Sequence, residues 1–129
     1  MSTFEEYQSF DSWIVEEFSR TGSFTACAVL VSISGGAVTP LCSTHFNVLG
    51  DEVGWADVTV LLAGAGRDWD GVSIFPMVRS DQGPLDNPTA RLRLHELEER
   101  IDEDRLVLNE GQCFDKRGCR LCIEKADLR

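Results

Sequence analysis

Two pairs of metal-ligating residue types occur in the chain, each with a spacing of three. The pairs are Cys42 with His45 and Cys119 with Cys122. Structural zinc sites use such pairs across a tight turn, which points both side chains at one ion. Here each pair lies in a predicted strand, where residues three apart point to opposite faces. We therefore expect no metal or cofactor, and zinc binding through these four residues is kept as an alternative.

The cysteines also raise the question of thiol chemistry. The chain has five, and Cys119 and Cys122 match the bare dithiol pattern of redox proteins. A redox-active pair of that kind opens a helix, whose positive end lowers the pKa of the thiol. No helix is predicted after Cys119, so the pattern assigns no catalytic residue. A protein that is not an enzyme is favoured.

A polar loop is the remaining candidate site. Arg67, Asp68, Trp69 and Asp70 follow one another, so two carboxylates and one guanidinium surround a large aromatic ring. Such a loop can line a pocket in which the ring supports a ligand or a partner, and paired carboxylates can exchange protons when their pKa values differ. The four residues are our predicted binding site. They also define an alternative function, that of a small enzyme or ligand-binding protein.

The charge balance limits the classes of partner. The chain of 129 residues has 22 acidic and 12 basic side chains, which gives a formal net charge of −10. Nucleic acids and anionic membranes attract positively charged proteins, so neither is expected as a partner. A basic protein is compatible, because opposite charges speed association. The acidic start of the chain lacks the pattern of a signal peptide, which predicts a cytoplasmic location, where the thiols stay reduced.

The first third of the chain predicts a helix followed by a hairpin. Thr3 and Glu6 have the spacing of a capping box, and aromatic residues recur at helical spacing until Gly22. So many aromatics indicate either a core helix or a dimer face. The segment 24–33 is apolar in both alternating sets, as expected for a central strand covered on two faces. A turn at Gly35 leads to a strand over 37–46, in which Pro40 indicates a sheet edge.

The middle of the chain predicts a helix, a strand and a second, stronger helix. The segment 52–65 fits a helical stripe, although its β-branched residues also suit a strand, and we predict a helix. A strand over 72–78 follows. Asn87 is the predicted N-cap of the next helix and Pro88 its first residue. Proline has no backbone N–H, and at this position the helix would offer that group no hydrogen-bond partner. Acidic residues are concentrated in the second half of this helix, where they oppose the helix dipole, and this favours a binding surface there.

The last third predicts a β region that starts at 106–108 and ends in a hairpin around the turn 115–118. Together these elements predict one α+β domain over residues 1–129, in the order α-β-β-α-β-α-β-β. Its mostly antiparallel sheet would have about five strands, with two or three helices packed on one face. The predicted function is a non-enzymatic protein-interaction or regulatory domain, whose partner is either a second copy of the chain, as a homodimer, or a basic protein.

Overall fold

The computed structural model describes residues 9–35 and 37–121 and shows an α+β fold around a five-stranded antiparallel sheet. The strand order is β2-β1-β3-β4-β5, and every neighbouring pair is antiparallel. In chain order the elements are α1 (Phe10–Thr21), β1 (Phe24–Ser34), β2 (Ala37–Val48), α2 (Trp55–Ala63), β3 (Gly71–Met77), α3 (Asn87–Glu103), a 3₁₀ helix (Arg105–Glu110), β4 (Gln112–Asp115) and β5 (Arg120–Leu121). The predicted fold class and element order are confirmed.

The central strand β1 is buried on both faces, as its two apolar sets predict. Phe24, Ala26, Ala28 and Leu30 contribute to one core with α1 and α2. The alternate residues of β1 contribute to a second core with α3 and the 3₁₀ helix: Cys27, Val29 and Val31. Two helices therefore share one face of the sheet, and the third helix covers the opposite face.

The helix α1 begins at Phe10, where Ser9 is the N-cap. The hydroxyl of Ser9 accepts a hydrogen bond from the backbone N–H of Ser12 at 3.2 Å. The predicted capping box of Thr3 and Glu6 lies outside the described residues. Two aromatic side chains of this helix are core residues, since Phe10 and Trp13 are at most 5% exposed. These two positions agree with a core helix, and the aromatic residues before Ser9 lie outside the described residues.

The strand β2 forms an edge of the sheet, as Pro40 predicted. The register of β2 against β1 shifts between Leu30 and Val31, so that Leu41 is an extra residue in β2. A bulge of this kind interrupts regular pairing and bends the strand. Gly35 has a φ of +59°, which glycine adopts without strain in the turn before β2. Gly36, the other residue of the predicted turn, lies outside the described residues.

The segment around α2 is helical, as predicted. Asp57 accepts a hydrogen bond from the backbone N–H of Gly54 at 3.0 Å, and Asp11 of α1 accepts one from the N–H of Trp55 at 2.8 Å. Side chains thus cap two N–H groups at the start of the helix. Val58 and Leu62 face the core, while the rest of the helix is more exposed.

The helix α3 begins one residue earlier than predicted. Its N-cap is Asp86, which accepts a hydrogen bond from the N–H of Thr89 at 2.8 Å, and Asn87 is the first helical residue. The prediction of Asn87 as the cap was wrong because aspartate and asparagine are equally good caps and both precede Pro88. The hydrogen bonds from Thr89 hold the pKa of Asp86 below its ordinary value.

The predicted strand at 106–108 is instead part of the 3₁₀ helix. Asp104 accepts a hydrogen bond from the N–H of Leu106 at 3.0 Å, and its carbonyl accepts one from Val107 at 3.1 Å. Val107 and Leu108 are buried in the second core. A short apolar run can be buried in either conformation, and here the capping aspartate favours the tight turn. The hairpin that follows is present, as predicted.

Within residues 9–35 and 37–121, no helix combines the length and the apolar character that crossing a bilayer requires.

Candidate interaction site

The predicted binding loop, Arg67 to Asp70, makes contacts within the protein. Asp70 extends the pairing of β3 with β1: its N–H donates to the carbonyl of Val31 at 2.8 Å, and its carboxylate accepts from the N–H of Ile33 at 2.7 Å. Arg67 donates to the carbonyl of Leu41 at 3.3 Å. These hydrogen bonds attach the loop to both β1 and β2.

The other two residues of the loop differ sharply in exposure. Trp69 is 7% exposed and belongs to the core, where its ring meets that of Trp55 edge to face, with 6.3 Å between the ring centroids. The ring is therefore not an accessible platform for a ligand. Asp68 is exposed and lies 3.5 Å from the ammonium of Lys116. A ligand-binding role for the loop stays a prediction.

The three predicted zinc ligands that the structure describes, Cys42, His45 and Cys119, do not converge. Cys42 packs against the core on the α2 side of β2, whereas His45 is three residues along the strand and so points to the other face. Cys119 lies beyond β4, on the far side of the sheet from β2. Cys122 lies outside the described residues. Among residues 9–35 and 37–121, no group of three or more His, Cys, Asp or Glu side chains is placed to hold a metal ion.

The acidic half of α3 faces the edge strand in part. The hydroxyl of Ser43 on β2 donates a hydrogen bond to the carboxylate of Glu98. Asp102, one turn further along α3, has an 80% exposed side chain whose carboxylate is 3.9 Å from the guanidinium of Arg105. Glu98 and Asp102 line a groove of about 220 Å³ together with Ser43 and with apolar residues of β1, β2 and α3: Val29, Pro40, Leu41, Cys42 and Ile101. We call these eight residues the acidic groove, after its two carboxylates.

The outer surface of α2 is apolar. Ala56, Val60 and Ala63 recur at steps of four and three residues on the exposed side of the helix, and Leu61 is exposed beside them. Val60 is 74% exposed and Leu61 is 53% exposed. We call these four residues the α2 patch. Large exposed apolar groups side by side on a helix are typical of an interaction surface.

The α2 patch adjoins β2 through a second groove. It is lined by Leu61, Gly64 and Ala65 from the end of α2 and by Cys42, Ser43 and Thr44 from β2, and its volume is about 470 Å³. We call these six residues the apolar groove, after the Leu61 and Ala65 side chains that α2 contributes. The acidic groove lies on the α3 side of the same stretch of β2. The edge strand therefore runs between an apolar and an acidic depression.

Sequence reasoning predicted the edge position of β2 and the acidic face of α3 but missed the α2 patch. The available signal was the composition of α2, in which Asp57 is the only charged residue of nine. A helix apolar on all sides is expected to be buried, and this one is covered on one side only.

Comparison of the chain with models of protein families, with curated proteins and with solved structures finds no match. The function is therefore inferred from the chain's own surface.

Proposed function

We propose that this chain is a non-enzymatic protein-interaction domain that binds a basic partner protein at the α2 patch and the adjoining edge of β2. The observation that carries the proposal is the exposure of Val60 and Leu61 on a helix whose Val58 and Leu62 side chains are packed into the core. Burying apolar area of this kind contributes about 25 cal/mol per Å², so a partner that covers it gains affinity.

The charge of the chain supports a basic partner. The formal net charge is −10, and Glu98 and Asp102 place part of it in the acidic groove next to the same edge. A positively charged partner would approach faster and would be oriented by this field, while apolar contacts would supply most of the affinity. The combination of an apolar centre and a charged rim is typical of protein interfaces.

Several carboxylates of the chain serve the fold, including Asp70 of the predicted binding loop. Asp11, Asp70 and Asp86 each accept a hydrogen bond from a backbone N–H group. These bonds attach one element to another or cap a helix, so the residues have structural tasks that account for their positions.

The test is a selection of binders from a displayed library of protein fragments on the immobilised chain. We expect enriched fragments with a positive net charge, and we expect Leu61→Glu to weaken their binding by about tenfold or more, since central apolar contacts dominate most interfaces. Leu92→Glu is the matched control, because Leu92 is 57% exposed on α3 and lies outside the patch. Fragments that bind Leu61→Glu as tightly as the unchanged protein would contradict the proposal, and so would the absence of any enriched fragment.

A second candidate occupant of this surface is another copy of the chain. The α2 patch and the edge of β2 adjoin each other, so two copies related by a two-fold axis would bury both at once. Sedimentation velocity across a range of concentrations tests this candidate. A dimer that Leu61→Glu dissociates and Leu92→Glu leaves intact would favour self-association over a basic partner.

A further inference from the structure

The direction of the backbone in β1 shows which groups of β2 point away from the sheet. The carbonyl of Val31 and the N–H of Ile33 both bond to Asp70, on the β3 side. Since alternate residues of a strand direct their N–H and C=O groups to opposite neighbours, the odd-numbered residues of β1 bond to β3 and the even-numbered ones to β2. The even-numbered residues pair with Cys42, Thr44, Phe46 and Val48.

The residues between these partners therefore direct their main-chain groups outward. They are Ser43, His45 and Asn47, and within the described ranges no strand pairs with them. An exposed row of this kind is a template for another strand, which proteins often block with a proline or a bulge. The first part of β2 has both features, Pro40 and the bulge at Leu41, and the Leu41 carbonyl already accepts a hydrogen bond from Arg67. Residues 43–47 have neither a proline nor a bulge.

The two grooves determine what an added strand would have to be. Successive side chains of a strand point to opposite faces, so one set would enter the apolar groove and the other the acidic groove. The apolar groove offers Leu61 and Ala65, and the acidic groove offers the carboxylates of Glu98 and Asp102. An added strand therefore fits if apolar residues alternate with Lys or Arg.

A second copy of β2 fits this requirement poorly. Its residues on the acidic side would be Ser43, His45 and Asn47, none of which carries the fixed positive charge of Lys or Arg. The partner copy would also bring its own Glu98 and Asp102 to the interface, and like charges there oppose association.

We infer that β2 accepts an extended segment of the basic partner as a sixth strand, paired with residues 43–47, whose side chains alternate between apolar and basic. This inference rests on the proposed function and states how the partner is recognised. Main-chain hydrogen bonds supply the pairing, and the two grooves supply the sequence preference.

The test uses a synthetic peptide of about eight residues, a common strand length, in which Val and Lys alternate. Nuclear magnetic resonance spectra of the full chain report the response of each backbone amide. We expect slower hydrogen exchange at the N–H groups of Ser43, His45 and Asn47, because these groups become donors to the peptide. The peptide with the same residues in two blocks, Val then Lys, is the control and is expected to bind at least about tenfold more weakly.

N-methylation of the peptide tests the pairing itself. Methyl groups on the alternate amides that face β2 remove the donors, so binding should be lost, whereas methyl groups on the other set should leave it unchanged. The double variant Glu98→Gln, Asp102→Asn should weaken binding of the alternating peptide by about two- to fivefold, because each exposed ion pair contributes little to affinity. Leu61→Glu should weaken it by about tenfold.

Three results would overturn strand addition. The first is equal affinity for the alternating and the blocked peptide, and the second is binding without slower exchange at Ser43, His45 and Asn47. The third is a homodimer in which β2 pairs with its own copy. The proposed function would still hold after either of the first two results if selected fragments bind at the α2 patch and Leu61→Glu abolishes that binding. A failure of both experiments would reject the function as well as the mode of binding.

Discussion

Asp11 of α1 accepts a hydrogen bond from the backbone N–H of Trp55, the first residue of α2, at 2.8 Å. The two residues are 44 positions apart in the sequence, and the contact joins the two helices that share one face of the sheet. A carboxylate at a helix N-terminus satisfies a donor that the helix itself cannot pair, and it interacts favourably with the helix dipole. Asp11 therefore helps to hold α2, which carries the α2 patch.

We expect Asp11→Ala to lower the free energy of unfolding by about 1 kcal/mol, the usual effect of removing a capping acceptor. Asp11→Asn keeps an acceptor oxygen and should lose less than half of that. Urea denaturation followed by tryptophan fluorescence measures both. If the alanine variant were as stable as the unchanged protein, a hydrogen bond from the Trp55 N–H to water would be as favourable as the one to Asp11, and the predicted contribution would be wrong.

The same contact illustrates what a sequence can predict and what it cannot. In the sequence, Asp11 interrupts an otherwise apolar helical stripe, and nothing near it explains why. Its partner N–H belongs to a helix that the fold brings into place, so local spacing carries no signal of the contact. Elements with a strong period were predicted correctly, including β1 with its two apolar faces and α3.

The candidate site was less accessible to prediction for a similar reason. The apolar character of α2 is visible in the sequence, but which of its residues are covered depends on the packing of Val58 and Leu62 against the sheet. Conversely, Trp69 looked exposed because polar residues surround it in the sequence, and the structure buries its ring against Trp55. Burial follows from tertiary contacts, whereas periodicity gives only the spacing of the side chains.

The start of α3 gives a prediction that separates two neighbouring residues. Asp86→Ala removes the acceptor for the N–H of Thr89 and should lower the thermal midpoint by about 2 to 5 °C, as loss of a cap usually does in a domain of this size. Asn87→Ala should change the midpoint by less than about 1 °C, because Asn87 is already inside the helix. Circular dichroism melting curves compare the two variants. A larger effect at Asn87 would contradict the assignment of Asp86 as the cap.

The turn between β4 and β5 makes part of the stability depend on pH. Burial of the Asp115 carboxylate favours its neutral form, but hydrogen bonds from the N–H groups of Cys119 and Arg117 and from the Arg117 guanidinium outweigh burial and lower its pKa. A carboxyl group whose pKa is lower in the folded state stabilises the fold above its unfolded pKa of about 3.9. That contribution is lost as the pH falls through the folded pKa.

We therefore expect Asp115→Asn to lower the urea midpoint at pH 7 and to have a smaller effect at about pH 2.5, which lies below the unfolded-state pKa of about 3.9. Urea denaturation at the two pH values measures the difference. Asp51→Asn is the control, since Asp51 is an exposed residue of a turn, and it should change neither midpoint appreciably. An effect of Asp115→Asn that is constant across the pH range would mean that the charge of Asp115 does not contribute.

The thiols should differ widely in reactivity. Burial raises the pKa of Cys27 to about 11, an effect that the positive charge of Arg93 opposes only in part. At pH 8 about one Cys27 side chain in a thousand would be a thiolate, the reactive form, and the thiol is fully buried. Cys119 is exposed.

We expect iodoacetamide at pH 8 to modify Cys119 in the native protein within minutes and to leave Cys27 unmodified until urea is added. Peptide mapping by mass spectrometry distinguishes the two sites. Rapid modification of Cys27 in the native state would show that the strand β1 opens readily, in conflict with its position at the centre of the sheet.

Trp69 allows a direct test of whether the Arg67 to Asp70 loop serves mainly the fold. Replacing a buried tryptophan by alanine leaves a cavity, so Trp69→Ala should lower the free energy of unfolding by about 3 to 5 kcal/mol. Trp69→Phe keeps an aromatic ring against Trp55 and should lower the free energy of unfolding by less. Arg67→Ala is the control within the same loop: its guanidinium is exposed and makes one long hydrogen bond, so the change should stay within about 0.5 kcal/mol. Urea denaturation compares the three variants. If Trp69→Ala were as stable as the unchanged protein, the ring would not be a core residue, and a role for it in binding a ligand would become the better explanation of its presence.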